Sequence, residues 1–91
     1  MQEFENKNLQ ILQKLGMIIK NVRKNKHNYS LNNLANEYDI PKGTLSRIEN
    51  GKENSSIIIL WKISNALGMK CSDLIKLAEN ELGEDFTLID E

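Results

Sequence analysis

The sequence is poor in the residues that secreted, membrane and catalytic proteins rely on. One cysteine, Cys71, leaves no internal disulfide. One proline, Pro41, and five aromatic residues stand against 12 Leu and 11 Ile, a composition that favours short helices over long strands. The longest unbroken apolar run, Ile57 to Trp61, is far below membrane-spanning length. The opening residues Met1-Gln2-Glu3-Phe4-Glu5 are polar and acidic, unlike a signal peptide. One histidine, His27, has no second His, Cys or carboxylate at metal-ligand spacing and reads as a surface loop residue. No Gly-rich phosphate loop or Ser-His-Asp set is present, so no enzyme, metal or cofactor is expected. At 91 residues the chain makes one small domain with a single core. The expected setting is reduced and cytoplasmic, away from any membrane. Arginine is also scarce, two against ten Lys and 12 Asn, which reads as the codon bias of an AT-rich genome.

What is present is an uneven charge distribution. The whole chain carries −1. Residues 14–52 carry eight basic side chains against three acidic ones, a net of +5. Residues 79–91 carry six acidic side chains and no basic one. A basic working face with an acidic end held away from it is consistent with a polyanionic partner.

Apolar periodicity places five helices. Phe4, Ile11, Leu12, Leu15, Ile18, Ile19 and Val22 form one stripe over 4–25, and residues 1–3 are expected to fray. Ser30 caps a second helix over 31–38, with Tyr29 and Leu34 at the spacing of a hydrophobic staple. Asp39 ends it, and Ile40 before Pro41 is extended. The third helix runs from Pro41 to Asn50 with Leu45 and Ile48 buried, and Gly51 stops it. Ser56 caps a fourth helix, 57–67. A fifth runs from Cys71, read as a small core residue, to about Glu81, with Leu74, Ile75 and Leu77 inward. Met17 and Met69 read as ordinary packing.

Two short helices joined by a tight turn are the helix-turn-helix pattern. Leu34, Tyr38, Ile40, Leu45 and Ile48 hold them together, and Ala35 is small where they cross. From Leu15 to about Leu77 the chain resembles regulators of the phage repressor and Cro type, also called the xenobiotic-response-element type. The stretches Thr44-Leu45-Ser46-Arg47-Ile48-Glu49-Asn50-Gly51-Lys52 and Lys62-Ile63-Ser64-Asn65-Ala66-Leu67-Gly68 carry the resemblance. Leu31 stands where members usually have Gln, Asp39 where they have the turn Gly, and Pro41 where they have a Ser or Thr cap. The resemblance implies an all-α, five-helix, lambda-repressor-like DNA-binding domain with an extended first helix and a short C-terminal tail. The boundaries are 1–14, 15–78 and 79–91. It also implies that Glu49 pairs with Arg23 or Lys24, read as a partly exposed pair.

A recognition helix of this kind enters the major groove N-terminus first. Its groove-facing positions are Lys42, Gly43, Ser46 and Arg47. Arg47 can fork onto guanine O6 and N7, Lys42 can donate to the same acceptors, and Gly43 permits close approach. Ser30, Thr44, Lys52 and Asn54 are placed to meet phosphate. The fourth helix has more apolar residues than one core can cover. Ile57 falls on the face of Leu60, whereas Ile58, Ile59 and Trp61 lie off it. With Phe86 and Leu88 of the tail they form the expected interface of a homodimer on a palindromic operator. The competing internal arrangement folds the tail, or the first helix, over Ile58 and Trp61. The sequence thus predicts a DNA-binding transcriptional regulator, a repressor or autoregulator, with no ligand or enzymatic domain. The alternative is an antitoxin-like or adaptor protein whose main role is to bind another protein. Small stand-alone relatives include phage repressors, controllers of restriction–modification genes, and antitoxins.

Overall fold

The computed structural model describes residues 3–89, with side chains from Lys7 onward. Phe4 lies in the first helix, but its side chain is outside the described ones, as are Met1 and Gln2. Among the described residues there are five α-helices and no strand: α1 (Glu3–Asn21), α2 (Leu31–Glu37), α3 (Lys42–Glu49), α4 (Ile57–Ala66) and α5 (Cys71–Leu82). The all-helical class and the element order agree with the sequence reading. The one departure at the start is that α1 runs into a π-helical turn, Val22–Lys26, instead of ending as regular α-helix.

Local chemistry sets the boundaries. The Oγ of Ser30 accepts the Asn33 N–H at 3.0 Å, and that of Ser56 accepts the Ile59 N–H at 3.2 Å. Asp39 (φ 57°) ends α2 and Gly51 (φ 71°) follows α3, both in the left-handed region. Among the described residues no helix is long and apolar enough to cross a membrane.

The core draws on all five helices, with Ile19, Leu34, Leu45, Ile63, Leu67 and Leu74 fully enclosed. Two features lock α1 onto α3. Gly16 sits against the end of α3, where a Cβ would lie 2.3 Å from the Ile48 carbonyl oxygen and 2.6 Å from that of Glu49. About two turns further on, the Arg23 guanidinium forks onto the Glu49 carboxylate, with Nε–Oε2 2.7 Å and Nη2–Oε1 2.8 Å. Its third arm donates to the Tyr29 carbonyl at 2.9 Å. The pair is sealed, with side chains 7% and 3% exposed, which corrects the expectation of a partly exposed pair. The close α1–α3 crossing removes it from water.

Several burial assignments also change. With Leu74 as origin, Cys71, Ala78, Leu82 and Ile75 fall within about 40–100° to one side, and Leu77 about 60° to the other. Leu77 is accordingly exposed and Ala78 buried, the reverse of the expectation for Leu77. Ile57, expected to be buried with Leu60, is the first residue of α4 and is exposed. Ile59, expected in an intermolecular surface, packs against the chain's own core. Met17 points outward, whereas Met69 packs on the core. Among the described residues neither internal cover reaches the outer face of α4: Ile58 is 70% and Trp61 55% exposed. Phe86 and Leu88 instead line a crevice with Ile11, Leu15, Ile75 and Leu82, between α1 and α5.

Candidate nucleic-acid interface

The site begins with the turn between α2 and α3. Tyr38 closes α2 through its N–H to the Leu34 carbonyl (3.2 Å), and the Ile40 N–H reaches back to the Ala35 carbonyl at 2.9 Å. Pro41, extended at ψ 126°, then starts α3, and its carbonyl accepts the Leu45 N–H at 2.9 Å. Lys62 of α4 donates from Nζ to the Asp39 carbonyl at 3.0 Å, so the left-handed corner is held from a third helix. Leu34, Ala35, Ile40, Leu45 and Ile48 are all buried beneath the turn.

This anchoring decides which side of α3 faces out. At about 100° per residue, Lys42, Ser46, Gly43 and Arg47 span an arc of about 140° opposite Leu45 and Ile48. Lys42, Gly43 and Arg47 are exposed, and Ser46 and Thr44 are half-buried. The structure therefore brings the four expected base-facing residues onto one surface. Lys52 and Asn54 are exposed in the segment after α3, where the Lys52 N–H is tied to the Arg47 carbonyl at 2.8 Å. Ser30 is exposed at the start of α2, and its oxygen accepts as the helix cap, which leaves its hydroxyl hydrogen to donate.

Arg47 is not a free cation. Its Nε lies 2.6 Å from Glu53 Oε1, and Nη2 is 3.5 Å from Thr44 Oγ1. Glu53 was missed in the sequence. It lies six residues from Arg47, outside helical spacing, and only the turn at Gly51 brings it back. Lys62 was missed for the same reason.

Behind α2, Tyr29 and Tyr38 meet edge-on with ring centroids 6.5 Å apart. The Tyr29 phenol is pushed up to about 12, first by its hydrogen bond to the Tyr38 side chain and then by the Glu37 charge. His27 stacks on Tyr29 at 6.0 Å with its Nε2 buried and unpartnered, so it is half-buried and not the surface loop residue expected. Cys71 is buried at the start of α5. No group of three or more metal-binding side chains occurs among the described residues.

The helix-turn-helix family model matches residues 19–79. That span takes in the end of α1, the whole turn and most of α5. Control protein C.MunI from a Mycoplasma species is 38% identical over 68 residues, covering 75% of this chain and 92% of that protein. Control protein C.BamHI from Bacillus amyloliquefaciens is 38% identical over 60 residues, covering 66% of this chain and 74% of that protein. With a matching turn, an outward recognition helix and these relatives, the chain belongs to the helix-turn-helix family of phage repressor and Cro type: it is a sequence-specific, double-stranded DNA-binding transcriptional regulator and not an enzyme.

Proposed function

We propose that the protein is a control protein that binds, as a homodimer, a palindromic operator near its own gene in the cytoplasm. Of the small stand-alone groups named above, controllers of restriction–modification genes fit best with relatives that are themselves called control proteins. Residues 15–78 form the DNA-binding unit, flanked by the α1 extension and the acidic tail. Lys42 and Arg47 read base edges, Ser46 adds a hydroxyl, and Gly43 lets the backbone approach. Ser30, Thr44, Lys52 and Asn54 meet phosphates and set the register.

The observation that carries this reading is the α3 surface. Two exposed cations, Lys42 and Arg47, bound an outward arc that stands opposite a fully packed face, on a helix locked at both ends. The dimer rests on the outer face of α4, where Ile57, Ile58 and Trp61 lie exposed together on one short helix. Single exposed apolar residues are ordinary, but a cluster with a tryptophan marks an interface. Ile59, engaged in its own core, takes no central part, and Phe86 and Leu88 contribute only at the edge. A two-fold dimer would present two α3 helices to half-sites about 34–36 Å apart.

Gel shift with DNA from upstream of its own reading frame tests the reading, beside selection of bound duplexes from a random pool. A selected palindrome and a specific shift are expected. A selection that enriches no sequence refutes the operator assignment. Light scattering at micromolar concentration tests the dimer, with twice the 10.5 kDa chain mass expected. The double variant Ile58→Lys, Trp61→Lys should be monomeric, and a variant that stays dimeric refutes the α4 placement.

A further inference from the structure

We infer that Glu53 is a positioning residue for Arg47: it fixes which edge of the guanidinium is offered to DNA and so sets selectivity. The inference rests on Arg47 as a base reader. Glu53 lies in the segment assigned to phosphate contact, between Lys52 and Asn54. A carboxylate there opposes a polyanion, so its presence calls for a compensating role.

Three contacts define that role. Glu53 takes the Arg47 Nε–H at 2.6 Å, a charge-assisted bond on the inner edge of the guanidinium. Thr44 Oγ1 stands 3.5 Å from Nη2 on the same side. The third is steric. Gly43 carries no Cβ where one would lie 3.2 Å from Nη1, so the group rests over bare backbone. Glu53 can hold its place because it is half-buried, and it lines a crevice with Leu12, Leu15 and Leu60. Arg47 is 56% exposed, so its far end reaches solvent.

An arginine can meet guanine O6 and N7 through Nε and Nη2, or end-on through Nη1 and Nη2. With Nε occupied, the side-on mode is closed and the end-on fork remains. A long side chain would otherwise sample many rotamers, and one held in place loses less freedom on binding. Glu53 therefore contributes little to general affinity. It favours the one base pair pattern that the end-on fork matches.

The probes are a duplex enriched by the parent protein from a random pool and the same duplex with single guanine pairs replaced. Affinities are compared for the parent, Arg47→Ala, Glu53→Ala, Glu53→Gln and the Arg47→Ala, Glu53→Ala double variant. Unchanged circular dichroism and melting establish folding. Glu53→Ala should bind random-sequence DNA no more weakly than the parent, yet lose on the order of tenfold selectivity at one guanine. Glu53→Gln, which still accepts the Nε–H, should recover part of that selectivity. In the Arg47→Ala background, Glu53→Ala should change selectivity no further. The nitrogen-15 NMR signal of Arg47 Nε, protected and displaced in the parent, should move to the exchange-averaged position in Glu53→Ala. If Arg47→Ala keeps full selectivity, Arg47 is not a reader and the proposal falls with that reading. If Arg47→Ala loses selectivity but Glu53→Ala keeps it or sharpens it, the positioning role alone is overturned. A Glu53 effect that persists without Arg47 overturns it too.

Discussion

Replacing Gly16 with alanine sets helix propensity against packing, and the structure says which wins. In an open helix the change stabilises by up to about 1 kcal/mol, because glycine is the freer residue in the unfolded chain. Here the new Cβ would lie 2.3 Å from the Ile48 carbonyl oxygen and within 3.0 Å of two Glu49 backbone atoms. These are backbone atoms of α3, which cannot rotate aside as a side chain would. Relief requires α1 and α3 to part by about 1 Å, which loosens every contact along the crossing. Overpacking by one methyl typically costs about 1–3 kcal/mol. The upper end applies to a rigid backbone clash, so a net loss of about 2 kcal/mol remains after the propensity gain. For a domain of this size about 1 kcal/mol moves the melting temperature by about 4–8 °C. A drop of about 8–16 °C is expected in a thermal melt followed by circular dichroism, at one fixed protein concentration because dimerisation shifts apparent stability. A Gly16→Ala protein that melts at or above the parent temperature would refute the crossing geometry.

Glu49→Ala strands a buried guanidinium and should cost about 3–5 kcal/mol, whereas Arg23→Met with Glu49→Leu should cost much less; equal melts for the two would show that burial of the pair is not what matters. Lys42→Ala should weaken operator binding by about 1–3 kcal/mol at its own base pair. Lys52→Ala should weaken binding to all sequences alike and reduce the salt slope by about one phosphate contact, and competition titrations at several salt concentrations separate the two behaviours. Tyr29 holds its proton to about 12 in the folded chain against 10.0 for an unperturbed tyrosine. The folded state therefore binds more protons between those values, and the stabilisation present below pH 10 is lost as pH rises through 12. Tyr38→Phe leaves Tyr29 as the sole tyrosine and should return its ionisation toward 10, read by absorbance at 295 nm; a midpoint still near 12 would show that Tyr38 is not the cause.

Sequence alone determined the features that depend on near neighbours along the chain. Ser30 and Ser56 cap helices because a hydroxyl reaches an N–H three residues on, and Asp39 and Gly51 turn the chain because they accept positive φ. The spacing of Leu45 and Ile48 likewise dictated which face of α3 turns inward, and with it the outward face that carries Lys42, Gly43, Ser46 and Arg47. What only the tertiary structure decided depends on distance through space. Gly16 became a contact point because α1 crosses α3 there, and the Arg23–Glu49 pair became buried for the same reason. Ile57, Ile58 and Ile59 are chemically identical neighbours, yet their exposure differs because burial depends on what stands opposite each one. Lys62 and Glu53 joined the site only when α4 and the segment before it folded back against the turn and the recognition helix. Periodicity reports which way a side chain points from its own helix; which partner meets it is set by helix crossings and returning loops, which local spacing does not encode.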